Sequence, residues 1–359
     1  MIYLKKFLVL LLALVMVLSV VGCGSTDTEE PTDTEEATEE TTEETTEEMP
    51  KIGVTIYKYD DNFMSFVRRA ITTSAEGKAE VLMNDSQNNQ ATQNDQVDML
   101  IAKGVQSLAI NLVDPQAAPS IISKAEAADL PVVFFNKEPS QEALDSYDKT
   151  WYVGTASKEA GIIQGEMIAE MWENNPDWDR NGDGVLSYVL LKGEPGHPDA
   201  EARTEYAISS ITDAGIEVEE LELQTGMWDS VKAKELMDTW LAKHGDDIEF
   251  VIANNDGMAL GALQSLQANG YFTGDKYMPL VGVDAIPDVL EQIKEGTIAG
   301  TVLNDAANQG KASFELAYNA AMGNDVLEGT EWELQDKAVR VPYVEITIDN
   351  IEFAEKAYE

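Results

Sequence analysis

The chain runs to 359 residues, with 66 acidic residues against 24 basic ones, two histidines and one cysteine, and a formal net charge of −42. So acidic a chain repels phosphate backbones, which excludes nucleic acid as a partner, and a single cysteine excludes a disulfide within the chain. The length is ample for two domains.

The first 23 residues read as a secretion signal: Lys5 and Lys6, then the apolar run "FLVLLLALVMVLSVV", then "VVGC". The small residue before Cys23 resembles a bacterial lipobox, in which that cysteine is lipidated and becomes the mature N-terminus. Residues 24–50 hold 12 acids, no aromatic and no basic residue. Such a segment cannot bury enough surface to offset its ordering entropy, and it reads as a disordered tether. Without the tether acids and the two signal lysines, residues 51–359 keep 22 basic against 54 acidic residues. The expected location is extracytoplasmic, on the outer face of the cell membrane and held there only by the lipid.

From Lys51 onward short apolar runs alternate with helical spacing. "KIGVTIY" is a strand, "NFMSFVRRAITTSA" a helix, "AEVLMND" a strand, "QATQNDQVDMLIAKG" a helix ending on glycine. "VQSLAINLVD", "PVVFFNK" and "TWYVGT" continue the strands, with "APSIISKAEAAD" and "KEAGIIQGEMIAEMW" as helices. The alternation then runs from "LSYVLLKG" through "IEVEELEL", "IEFVIANND", "MPLVGVD" and "IAGTVLND" to the helix "AANQGKASFELAYNAAMG". This pattern predicts an α/β fold with parallel sheets covered on both faces. The strands are too many for one open sheet, so two doubly wound lobes are expected.

Polar residues follow these strands directly, as in "YKYDDNF", "FFNKEP", "LLKGEPGHPD", "ANND", "GVDA" and "VLND". Ligands of open α/β sheets bind outside the carboxyl ends of strands. Helix caps favour the same residues, so any single one reads as a cap before it reads as a ligand. Asp, Asn, Arg and one His beside aromatic rings suit a sugar. Planar polar groups pair with neighbouring hydroxyls, and Phe63 and Trp228 offer flat surfaces to the ring's C–H faces. A glycosidase using Asp61, Asp199 or Asp284 as paired carboxylates is a competing reading. So is a ligand-sensing domain of a transcription factor, although no basic segment stands near the start. No serine–histidine, cysteine or metalloprotease motif is present, and an enzyme is not expected.

Residues 179–190, "DRNGDGVLSYVL", open like a calcium loop, with Asp179, Asn181 and Asp183 at positions 1, 3 and 5 and Gly184 at position 6. Position 12, where a bidentate acid belongs, is Leu190, inside the strand-like run "LSYVLLKG". Either the loop is an acidic turn, or its last ligand comes from elsewhere.

"IGVTIYKYDDNFM", "AINLVDP", "PVVFFNKEPS", "ALDSYDK", "LLKGEPGHPDAEAR", "VIANND", "GTVLNDA" and "VRVPYV" together resemble the galactose/glucose-binding members of the type I periplasmic binding proteins, over roughly residues 51–345. These serve methyl-galactoside ABC transport. The resemblance implies that Asp61 takes the sugar 4-hydroxyl, Asn136 and His197 the 6-hydroxyl, and Asp199 and Arg203 the anomeric end and ring oxygen. Asn255, Asp284 and Asn304 would serve hydroxyls 2 and 3, with Phe63 and Trp228 stacking from the two lobes.

The same resemblance implies a three-segment hinge near Thr155–Ala156, Asn304–Ala306 and Val339–Arg340. The lobes would then be 51–155 with 305–339, and 156–304 with 340–359. It implies D-galactose or D-glucose as ligand, an ABC permease as partner, a chemotaxis receptor as an additional one, and a monomer. It also implies a structural Ca²⁺ on Asp179, Asn181, Asp183, the Val185 carbonyl, Ser187 and Glu249. Ser187 stands where the family carries a glutamine, which weakens the site. The tail "VEITIDNIEFAEKAYE" departs from the pattern and receives no role.

Overall fold

The computed structural model describes residues 49–358. The signal segment, Cys23 and the tether up to residue 48 lie outside the described residues. The chain begins with a strand–helix alternation: β1 (Lys51–Ile56), α1 (Asn62–Ala75), β2 (Glu80–Asp85), α2 (Gln90–Ala102), β3 (Ser107–Ile110), α3 (Ala118–Ala127), β4 (Val132–Phe135), α4 (Gln141–Asp145) and β5 (Thr150–Gly154). A second alternation follows: α5 (Ser157–Asn174), β6 (Val185–Lys192), α6 (Pro198–Asp213), β7 (Glu217–Thr225), α7 (Ser230–His244), β8 (Phe250–Ala253), α8 (Asp256–Ala268), β9 (Leu280–Val281), α9 (Pro287–Lys294) and β10 (Thr301–Leu303). The chain closes with α10 (Ala306–Met322), β11 (Ala338–Arg340), β12 (Val344–Ile346) and α11 (Ile351–Lys356).

The first sheet has the order β11-β5-β4-β3-β1-β2, with every pairing parallel. The second has the parallel core β7-β6-β8-β9. Bridges Val281–Gly300 and Asp284–Leu303 join it to β10, and β12 runs antiparallel to β10. The sequence pattern predicts parallel strands throughout. The antiparallel β12 arises because the chain, on its last return, lies beside β10 as an edge strand, where no crossover helix is needed.

Each sheet is packed on both faces. Along β4, Val132 and Phe134 face the core under α2 and α3, whereas Val133 and Phe135 face the core under α1 and α10. The period of two thus sends one strand into two hydrophobic layers. The second sheet likewise divides its strands between a layer holding Trp240, Met258 and Leu266 and one holding Ile168, Tyr188 and Phe250. Helix α5 lies close against α6 because Gly161 and Gly165 have no side chain. A Cβ there would come within 2.8 Å of the Ala202 carbonyl and 2.3 Å of the Ala207 carbonyl.

The chain passes between the two sheets three times, at residues 155–156, 304–305 and 341–343. The last of these lies beyond the Val339–Arg340 position expected from the sequence. Arg340 ends β11 in the first sheet, paired with Gly154, and the Val341 N–H still donates to the Gly154 carbonyl (2.8 Å). The Arg340 guanidinium also forks onto Glu138 at 2.9 and 2.5 Å. Arg340 therefore belongs with the first lobe.

Candidate functional site

The carboxyl ends of the two sheets face each other across a cavity lined by polar and aromatic side chains of both lobes. Asp61, Phe63, Asn136, His197, Asp199, Arg203, Trp228, Asn255, Asp284 and Asn304 all line it. Tyr57 and Met64, which the sequence reading passed over, line it as well.

Several of these residues are helix caps that keep another atom for the cavity. Asp61 caps α1, where its Oδ1 accepts from the Met64 N–H (2.8 Å) and its Oδ2 accepts from the Tyr57 hydroxyl (2.5 Å). Burial pushes its carboxyl above the usual range, and these two donors work against the rise. Asn255 caps α8 by accepting the Met258 N–H on Oδ1 (3.0 Å), and its Nδ2 has no partner among the described residues. His197 caps α6, with Nδ1 accepting the Asp199 N–H (3.1 Å). That bond fixes the tautomer, so Nε2 carries the proton. Cap and ligand, the two readings open in the sequence, are compatible in one side chain.

Burial pushes the His197 imidazole down to about 3. Between pH 6.5 and 3 the unfolded chain holds a proton that the native state refuses, so this residue costs stability as pH falls, about 1.4 kcal/mol per unit. Asp61, Asp256 and Asp284 are all raised by burial and act in the opposite direction, because the native state takes their protons first. Comparison with His197→Asn, which keeps a capping side chain, isolates the imidazole. From pH 6.5 to 5 the variant is expected to lose about 2 kcal/mol less than the parent in urea unfolding. Superimposable acid limbs would mean that His197 is charged in the native state.

Arg203 is the buried centre of the second-lobe wall, with 2% of its surface exposed. Its Nη1 donates to the Asn254 carbonyl (2.8 Å), and its Nη2 donates to Asp199 Oδ2 (3.2 Å) and to the Tyr343 hydroxyl (3.0 Å). Asp284 Oδ1 lies 3.8 Å from Nη1. The buried Nε has no hydrogen-bond partner among the described residues, and a buried unpaired donor in a cavity wall suits an incoming acceptor. Ser157 holds the other oxygen of Asp199 (2.6 Å).

Asp284 sits on a strained turn, with φ 131° followed by φ 55° at Ala285. Asn304 Nδ2 donates to its Oδ1 (3.1 Å), and Gln309 orients Asn304 by donating to its Oδ1 (2.5 Å). Burial raises the Asp284 carboxyl well above the usual range. Arg203 works against the rise and Asp256 with it.

Trp228 follows Met227 in two successive left-handed residues, φ 57° and 62°. Its ring meets His197 edge-on at 5.2 Å and lies against Gly193, where a Cβ would be 2.1 Å from the indole. Glycine is needed there by close approach rather than by its own backbone. Across the cleft, the buried Lys137 pairs with Glu194 (2.6 Å), donates to the Val113 carbonyl (3.0 Å) and lies 4.1 Å from the centre of the Tyr57 ring. The sequence reading missed this inter-lobe ion pair. "FFNKEP" and "LLKGEP" are both polar strand ends with one lysine and one glutamate each, so charge alone does not pair Lys137 with Glu194.

The acidic loop lies away from the cavity, at the opposite end of β6. Its side chains turn onto its own backbone: Asp179 accepts from Gly182 (2.7 Å) and Gly184 (2.9 Å), Asn181 from Asp183 (2.8 Å), and Asp183 from Val185 (2.8 Å). Leu190 is fully buried, as its apolar surroundings suggest. Glu249, also buried, reaches the loop, its carboxylate accepting from the Arg180 N–H (2.8 Å) and the Ser187 N–H (3.2 Å). The donors are all oxygens, which suits a hard cation. Among the described residues, however, the three carboxylates do not close into a metal-holding group.

Residues 52–325 match the family model described as "Periplasmic binding protein domain". The chain is 55% identical over 304 residues to the D-galactose/methyl-galactoside binding periplasmic protein of Haemophilus influenzae, covering 84% of this chain and 90% of that one. It is 27% identical over 276 residues to the ribose import binding protein of Bacillus subtilis, covering 77% and 83%. Among solved structures, an ABC transporter solute binding protein from Bacillus halodurans with bound myo-inositol superimposes with a TM-score of 0.72 at 31% identity, covering 86% and 98%.

Proposed function

The chain belongs to the periplasmic binding protein family, and from that premise we propose that it captures a hexose, D-galactose or D-glucose, between its two lobes for an ABC importer. The observation that carries this reading is an inter-lobe cavity in which planar hydrogen-bonding groups and two aromatic side chains line the same small space. Carboxylates, amides and a guanidinium present paired acceptors and donors to vicinal hydroxyls. Phe63 from the first lobe and Trp228 from the second supply apolar faces. His197, neutral and with Nε2 protonated, offers one donor.

Asp61 would take the 4-hydroxyl, Asn136 and His197 the 6-hydroxyl, Asp199 and Arg203 the anomeric end, and Asn255, Asp284 and Asn304 hydroxyls 2 and 3. Because residues of both lobes must converge, binding is completed by closure about the three chain passages. No bond is made or broken. The closed form is the one a permease, or a chemotaxis receptor, would read. Cys23 would carry a lipid, residues 24–50 would tether the body to the membrane, and the protein would act as a monomer.

Titration calorimetry with D-galactose, D-glucose, D-ribose and myo-inositol tests the ligand class. Heat with either hexose and a weaker response to the other two is expected. Silence with both hexoses beside clear binding of ribose or inositol would overturn the reading.

The acidic loop is proposed to hold Ca²⁺ through Asp179, Asn181, Asp183, the Val185 carbonyl, Ser187 and Glu249, fastening β6 to β8. What supports this is the all-oxygen donor set and the approach of Glu249 to the loop. An ion bound to the native state alone must raise its stability. Millimolar Ca²⁺ is therefore expected to raise the melting temperature, and Glu249→Gln to remove most of that rise. An unchanged melting curve would eliminate the site.

A further inference from the structure

The end of the chain takes no part in lining the cavity, yet it touches both lobes. Helix α11 lies in the second lobe, against α9, where Lys294 pairs with Glu355 (2.5 Å). Two residues after α11, Tyr358 turns toward the first lobe. Its ring meets Phe66 of α1 edge to face, with centroids 4.9 Å apart and an interplanar angle of 71°. Its carbonyl accepts from Arg69 Nη2 (3.5 Å), and its hydroxyl donates to the main-chain carbonyl of Asp284 (3.2 Å). Among the described residues, Phe66 and Tyr358 are the two that pack against a core of each lobe.

We propose that Tyr358 is a latch, a positioning residue that ties the second lobe to α1 and braces the strained Asp284 turn, thereby slowing release of the bound ligand. The inference rests on the sugar-capture reading. Its physical basis is independent of the sugar. The three chain passages join the lobes covalently and bend. The Phe66–Tyr358 contact, like the Lys137–Glu194 pair across the cleft, is a non-covalent link, and it has to part when α1 and the second lobe separate. Its apolar area is out of water only in the closed form, so it lowers the free energy of that form alone. At the same time the hydroxyl holds the backbone of Asp284, where φ 131° is unfavourable for a residue with a side chain. Helix α1 carries Asp61 at its cap and Phe63 in its first turn. One tyrosine thus braces an element on each side of the cavity.

The test uses the full chain, a truncation after Lys356, and Tyr358→Phe, which keeps the ring and removes only the hydroxyl. Stopped-flow fluorescence gives association and dissociation of D-galactose and D-glucose. The truncation is expected to speed dissociation about tenfold and leave association within about twofold. Tyr358→Phe is expected to speed it about threefold. In parallel, nitroxide labels at Asp60→Cys and Lys232→Cys in a Cys23→Ser background report the width of the cleft without sugar. Truncation is expected to shift that distribution toward longer distances.

Unchanged dissociation together with an unchanged distance distribution in the truncated chain would overturn the latch. So would an affinity loss carried wholly by slower association. If the parent protein binds neither hexose, the sugar reading fails, and the label distances still decide whether Tyr358 holds the lobes together.

Discussion

Trp228→Ala is expected to weaken hexose binding about 100-fold, roughly 2.7 kcal/mol, with little change in thermal stability. The indole is an aromatic wall of a small closed cavity, its edge against Gly193 and its neighbour His197 at 5.2 Å. Removing it leaves a hole that a sugar face cannot fill, and it frees the His197 ring to reorient. Trp228→Phe should recover most of the loss, because a flat apolar face remains. Calorimetric titration of the three proteins checks this. Equal affinity in the alanine variant would make Trp228 a packing residue and remove one of the two proposed stacking faces.

The second large effect is expected at Arg203, and it falls on the fold as well as the site. Arg203→Leu leaves Asp199 and Asp284 buried without a counter-charge and strands the Asn254 carbonyl, whereas the Tyr343 hydroxyl keeps its bond from Thr155 (2.8 Å). Removing one partner of a buried ionic network costs about 3–5 kcal/mol. Urea unfolding should therefore show a loss of that order, and sugar binding should be abolished. Arg203→Lys should recover part of the stability but not the binding, since an ammonium cannot span Asp199, Asn254 and Asp284 in one plane. A leucine variant within 1 kcal/mol of the parent would show that the guanidinium offsets little buried charge in the folded protein.

The layered α/β architecture was legible in the sequence because both of its periods are local. "PVVFFNK" alternates into two hydrophobic layers, and "NFMSFVRRAITTSA" carries its apolar stripe at helical spacing. Residues at strand ends were legible for the same reason: Asp61, Asn136, His197, Asn255 and Asp284 each follow an apolar run by a few positions, and a parallel sheet gathers all such ends at one edge. What stayed hidden depends on separation in sequence. Lys137 and Glu194 are 57 residues apart and on different lobes, and nothing local marks them as partners. Tyr57 reads as the last residue of a strand, and its bond to Asp61 exists only because the chain turns into α1 between them. Arg340 falls on the far side of the expected hinge because the end of a short edge strand is set by its neighbour Gly154, not by its own composition. The tail escaped for a related reason: Tyr358 acquires its partners Phe66 and Asp284 from segments 292 and 74 positions away.

The double duty of the capping residues bears on how such a pocket can diverge. Asp61, His197 and Asn255 each commit one atom to a helix start and turn what remains to the cavity. A mutation that retunes ligand choice at these positions must still satisfy a helix N–H with no partner inside the helix, or it frays α1, α6 or α8 at about 1 kcal/mol each. The accessible alphabet there shrinks to the short acceptors Asp, Asn, Ser and Thr, with histidine as the longer exception. Lineages exploring new ligands would therefore be expected to move by exchanges within that small set, Asp for Asn above all, and to take their larger steps at Phe63 and Trp228, whose side chains cap nothing.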